Sequence, residues 1–197
     1  RFRKKKDPQS PPVSVVGEAS KGRLVSMESG WIRTSGPASD HQSRFQGPGE
    51  TFHVEPGGGG RQVAFERQAG DVIFHKIYTF HPDSYAVDVR FAVRNNGGEP
   101  WSGDVYARVR NVGEAAGSLI LYDFAGPVVF TGDSMQTFTL SDVRESSYQK
   151  TDPNGWGGVM DRYFLAAVLP EGGLSSHFFV QGHGESAYSG FVAPFPE

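Results

Sequence analysis

Apolar residues recur at every second position from Tyr85 onward: in SYAVDVRFAVRNN, Tyr85, Val87, Val89, Phe91 and Val93 share one parity, while Asp88, Arg90 and Arg94 share the other. Successive side chains of an extended strand point to opposite faces, so this alternation suits a half-buried strand and not a helix. The preceding segment, DVIFHKIYTF, places Val72, Phe74, Tyr78 and Phe80 on one face, and HPDS supplies a Pro-Asp turn that joins the two segments as a hairpin. Beyond the turn cluster NNGGEP, GDVYARVRN sets Val105, Ala107 and Val109 against Tyr106, Arg108 and Arg110. Three consecutive strands joined by turns predict an antiparallel meander.

Shorter strand candidates flank this unit: Val13–Val16, Arg23–Met27, Thr51–Val54, Gln62–Phe65, Val128–Phe130, Met135–Leu140, His177–Gln181 and Ala187–Val192. Gly 26 and Pro 13 among 197 residues supply turn formers between nearly every pair. Many short strands of this spacing, with helix signals almost absent, predict an all-β chain folded as a large antiparallel sandwich, a single domain over residues 1–197. SGPASDHQSRFQGPGE and EPGGGGR read as surface loops.

The most apolar run, GWGGVMDRYFLAAVLP (Gly155 to Pro170), is ambiguous by pattern. Val159, Tyr163 and Ala167 fit a helical stripe, as do Met160, Phe164 and Val168. However, Gly157 and Gly158 cap nothing, the flanks are strands, and Pro170 ends the run. The context predicts a strand from about Arg162 to Leu169, buried on both faces. A membrane span is excluded because the run is too short and carries Asp161 and Arg162 in its middle.

The absence of cysteine excludes a disulfide framework, a thiolate zinc site and a cysteine nucleophile. No signal peptide is visible. Five of the 19 basic residues lie in Arg1–Lys6, which leaves 14 against 22 acids in the rest of the chain. A body of that sign repels nucleic acid, and the short basic run reads as a solvated edge rather than a nucleic-acid- or lipid-binding arm.

Motifs that carry chemistry are scarce. GGGG leads into a strand without the Lys-Ser or Lys-Thr pair of a phosphate loop, and no serine sits on a strand-elbow-helix turn. Among the six histidines, His75 and His81 flank a strand and His41 and His53 lie in or beside loops. Only His183 and Glu185 form a His-carboxylate pair close in sequence, and it reads as a solvated hairpin turn before it reads as an acid-base or metal site. Trp31, Trp101 and Trp156 could stack on sugar rings. Aromatic residues on strands are more often core, and Trp31 and Trp101, in polar and turn-like surroundings, are the ones most open to the functional reading.

With these segments placed, the chain resembles the large periplasmic domain of the bacterial YidC membrane-protein insertase. FHKIYTFHPDSYAVDVRFAVRNNGGEPW is similar to that family's paired strands, FAGPVVFTGD to its later Gly-Ala-aromatic hairpin, and GWGGVMDRYFLAAVLP to its Gly-Trp…Tyr-Phe…Pro segment. The resemblance implies a super-β-sandwich like that of galactose mutarotases, with the Tyr-Phe run as an interior strand. It makes RFRKKKD a native charged turn. It also places one transmembrane helix and the first strands before Arg1, and a linking helix after the end, so that the chain is expected to be cut at both ends of the domain. Ala193 stands where the family's closing Gly-Pro has its glycine.

What the resemblance implies for function is a non-enzymatic accessory domain on the periplasmic side of the inner membrane, anchored by helices outside this chain. Its expected partners are Sec translocon components and nascent membrane proteins, and it is expected to be a monomer. The insertase's five transmembrane helices and groove arginine have no counterpart here, so no catalytic residue, cofactor or metal is carried over. Two other readings stand beside it. One is a mutarotase-type, carbohydrate-active sandwich using His183 or Glu185; the other is a peptide-binding module that offers an unpaired sheet edge.

Overall fold

The computed structural model describes residues 9–10, 15–19, 23–49, 51–55, 57–112, 124–161 and 163–195. Its strands are β1 (Gly17–Ala19), β2 (Arg23–Ser35), β3 (Arg61–Ala69), β4 (Val72–Phe80), β5 (Val87–Asn95), β6 (Ser102–Val112), β7 (Gly126–Thr131) and β8 (Ser134–Thr137). After a helix, α1 (Leu140–Glu145), follow β9 (Tyr148–Asp152), β10 (Gly155–Met160), β11 (Leu165–Val168), β12 (Ser176–His183) and β13 (Ser186–Pro194). These form a six-stranded sheet β1-β2-β6-β13-β12-β9, a four-stranded sheet β11-β10-β7-β8 and a three-stranded sheet β3-β4-β5. All the described strand pairings are antiparallel, as the alternation predicts.

Two compact units emerge. One comprises the described residues of Arg1–Ser29 and Tyr106–Pro194, the other those of Gly30–Val105 together with Phe195.

In the first unit the six-stranded and four-stranded sheets pack face to face. Val25 and Val109 from one meet Val159 and Ala166 from the other. Ser189, fully buried on β13, ties the layers: its hydroxyl donates to the Val128 carbonyl on β7 at 2.6 Å and accepts the Gly158 N–H on β10 at 3.0 Å. The backbones are close there because a Cβ on Gly157 would stand 2.5 Å from the Gly190 nitrogen. The glycines that looked idle in the sequence are therefore what lets β10 approach β13.

The second unit holds the meander. β4 pairs in unbroken register with β3, from Ala69↔Val72 to Arg61↔Phe80, and with β5, from Val72↔Asn95 to Phe80↔Val87. Its inward face packs Val72 and Phe74 against Trp31 from β2, with Phe45, Phe91, Val93 and Trp101 around them.

Several elements differ from the sequence reading. The meander is β3-β4-β5, not β4-β5-β6, because β6 leaves to pair within the six-stranded sheet. The strand expected from about Arg162 to Leu169 is the shorter β11, which pairs as a hairpin with β10, in register from Gly157↔Val168 to Met160↔Leu165. Asp161 makes the turn: its Oδ1 accepts the N–H groups of Tyr163 and Phe164, and its own N–H donates to the Phe164 carbonyl at 2.9 Å. The interior strand is thus β10, whereas β11 is an edge and Tyr163 is 75% exposed. Met135–Leu140 divides into β8 and the start of α1, and Thr51–Val54 forms no strand. Val15 and Val16 precede β1 without joining it, and residues 11–14 lie outside the described residues. Trp31 is core at 2% exposure rather than a surface stacking platform, and Trp101 packs edge-on against Phe74 and Phe195.

Candidate apolar groove and the polar clusters

The face of the three-stranded sheet carries a groove. β4 alternates Val72, Phe74, Lys76, Tyr78 and Phe80 toward it; the first two are covered, whereas Lys76, Tyr78 and Phe80, with Phe65 and Phe45, line an open depression of about 350 Å³. Phe65 meets Tyr78 edge-on at 5.7 Å, and Tyr78 stacks on Phe80 at 6.5 Å.

Phe45 reaches the groove because its loop is tied down at several points. The Trp31 backbone N–H donates to the Ser39 carbonyl at 2.9 Å, Trp101 Nε1 donates to the Pro37 carbonyl at 3.0 Å, and Gln46 and Glu66 exchange two backbone hydrogen bonds of 2.8 Å. Within the loop Asp40 Oδ1 accepts the N–H groups of Gln42 and Ser43 and the Ser43 hydroxyl. Burial alone would raise the Asp40 carboxyl, but these bonds, with His41 nearby, hold its pKa below the ordinary value.

Lys76 is the residue that sequence reading passed over. It occupies an apolar position of β4 and is buried, with its Nζ 4.7 Å from the centre of the Phe45 ring and 5.8 Å from that of Trp31. Desolvation pulls its pKa from 10.5 to about 8, against the opposing influence of Asp40. Its place in the apolar parity of DVIFHKIYTF was the available signal. The partners that make the position tolerable come from distant segments.

A second polar cluster lies on the six-stranded sheet. Arg108 bonds Glu28 through Nε at 2.8 Å and through a terminal nitrogen at 2.7 Å, and lies over the Tyr188 ring at 4.3 Å; both Nε and a terminal nitrogen of Arg110 donate to the Ser186 hydroxyl. These half-buried charges satisfy one another on the sheet face opposite Val25, Val109 and Ser189.

The histidines do not converge. His81 Nε2 lies 2.7 Å from Asp88 across the β4–β5 hairpin, His75 lies 3.6 Å from Glu66, and His177 meets the Thr151 hydroxyl at 3.2 Å. His183 ends β12 and Glu185 sits in the turn that follows, both exposed, and neither lines the groove. Among the described residues no group of three or more His, Asp or Glu could hold a metal ion. The carbohydrate reading built on His183 and Glu185 gains nothing from this placement.

Face-to-face antiparallel sheets with almost no helix define the chain as an all-β, sandwich-like protein. The chain belongs to the YidC periplasmic domain family, which matches residues 1–195. It is 28% identical over 198 residues to the membrane protein insertase YidC of Methylobacillus flagellatus, covering 98% of this chain and 36% of that protein. It is 30% identical over 187 residues to that of Thiobacillus denitrificans, covering 91% and 34%, and 37% identical over 116 residues to that of Bordetella parapertussis, covering 56% and 21%. The chain spans about a third of the length of the first two relatives.

Proposed function

We propose that this chain is a periplasmic accessory domain of a membrane-protein insertase, which assists insertion by binding and positioning rather than by catalysis. Its partners are Sec translocon components and nascent membrane proteins, it acts as a monomer, and helices outside this chain hold it at the inner membrane. The observation that carries the reading is the family match along residues 1–195, with relatives that are named membrane protein insertases. No helix among the described residues is long and apolar enough to cross a membrane. An accessory role agrees with a surface of grooves and paired charges.

The test is photo-crosslinking in intact cells, from an insertase that carries this chain with a photoreactive residue at Tyr163 or Leu169, which are 75% and 63% exposed. Adducts with Sec translocon subunits are expected. A scan of exposed positions that yields no Sec adduct, while insertion proceeds, would remove the Sec partnership.

A further inference from the structure

Sheet edges present rows of backbone donors and acceptors, and natural folds blunt them by keeping edge strands short, bulged or covered. Most edges here follow that rule: β1, β8, β9 and β11 have three, four, five and four residues. β3, an edge of nine residues, is bridged by Gln46 at Glu66. β5 is different. It has nine residues, contains no proline, keeps register with β4 without a bulge, and has no partner strand on its outer side among the described residues.

The side chains of β5 are exposed on both faces at its start. Val87 and Val89 are 44% and 38% exposed on the groove side, directly beside Phe80 and Tyr78 of β4, so that apolar surface continues from the groove to the open edge. The opposite face carries Arg90 and Arg94, while its acid, Asp88, is engaged by His81.

We propose that β5 is a docking edge for an extended polypeptide segment, which adds as a further strand with apolar side chains on the groove face and an acidic side chain opposite Arg90 or Arg94. Only a polypeptide can use the backbone groups of the edge, and alternating pockets then select its side chains. A second copy of the chain is the less favourable occupant, because each copy carries 22 acids against 19 bases and like net charges repel. This surface is independent of the proposed Sec contacts.

The experiment uses the purified full-length insertase that carries this chain and a fluorescein-labelled nine-residue peptide that alternates valine with threonine and glutamate. Saturable binding by anisotropy is expected, with hydrogen exchange slowed over Val87–Asn95. The same peptide N-methylated at alternate residues should bind at least ten-fold more weakly, as should the wild-type peptide to the V89K variant. R90E should reverse the preference toward a peptide with lysine in place of glutamate. Neither exposed substitution touches the core, and retained thermal unfolding shows that each variant is folded. No saturable binding up to 1 mM would overturn the proposal. So would binding indifferent to N-methylation, protection confined to other strands, or sedimentation showing that β5 pairs with a second copy.

Discussion

Ser189 bonds one backbone group on each of two strands of the facing sheet. Replacing it with alanine removes both bonds from a dry layer, and losing a buried hydrogen-bond partner costs about 1–3 kcal/mol. Ser189→Ala is therefore expected to lower the urea midpoint by an amount equivalent to about 2 kcal/mol with an unchanged m-value. An unchanged midpoint would mean that the two sheets do not depend on this bridge. Lys76 acts in the other direction. Its folded pKa of about 8 lies below 10.5, so the unfolded chain binds more protons between those values and stability rises with pH there; the penalty is fully present below about pH 8. Lys76→Met should be more stable than the natural chain at pH 7 by roughly 1 kcal/mol, allowing for partial solvent access, and the gap should narrow as pH rises from about 8 and close above 10.5 in paired urea titrations. A gap that is constant with pH would place the ammonium in water. Ser189 did not declare itself in the sequence and Lys76 did so only by its place in an apolar parity; what distinguishes both is contact with segments tens of residues away.

At the scale of elements, legibility followed local chemistry. The strands of the meander were readable because one buried face imposes a period of two, but which neighbour β6 would choose was not, since turn residues after β5 do not specify a sheet. Two errors had signals that were present and outweighed. Asp161 lies inside an apolar run, where the turn-forming habit of aspartate predicts the hairpin better than the hydrophobicity predicts a single strand. Thr139-Leu-Ser-Asp142 is a capping box: the Asp142 N–H donates to the Thr139 hydroxyl at 3.1 Å, and the Thr139 N–H donates to the Asp142 carboxylate at 2.7 Å. Those bonds from Thr139 also hold the Asp142 pKa below the usual carboxylate range. Thr139→Ala should destabilise by about 1 kcal/mol and speed amide exchange in Leu140–Glu145 before it affects the strands. If exchange there is unaltered, α1 is held by the packing of Leu140 and Val143 alone.

The whole chain raises the question of whether one domain or two unfold. Contacts divide it into two units, yet two of the three boundaries fall inside strands, one in β2 between Ser29 and Gly30 and one in β6 between Val105 and Tyr106, and the third directly follows the last residue of β13, Pro194. Independent domains are joined where few contacts cross, in exposed and flexible chain. Here two of the boundaries fall within strands, of 13 and 11 residues, rather than in exposed chain between elements. The proposal of a single domain over residues 1–197 therefore yields an expected outcome: one calorimetric transition, with calorimetric and van't Hoff enthalpies that agree, and coincident loss of strand signal and of tryptophan fluorescence. Trp31 and Trp101 report the second unit and Trp156 the first, so the W156F variant isolates one and the W31F/W101F variant the other. Superimposable melts from the two variants, each compared with its own calorimetric scan, support a single cooperative fold. Two separated transitions, with the Trp156 signal surviving the loss of the other two, would show that the strand ladders yield at Ser29 and Val105 and that the units are thermodynamically distinct.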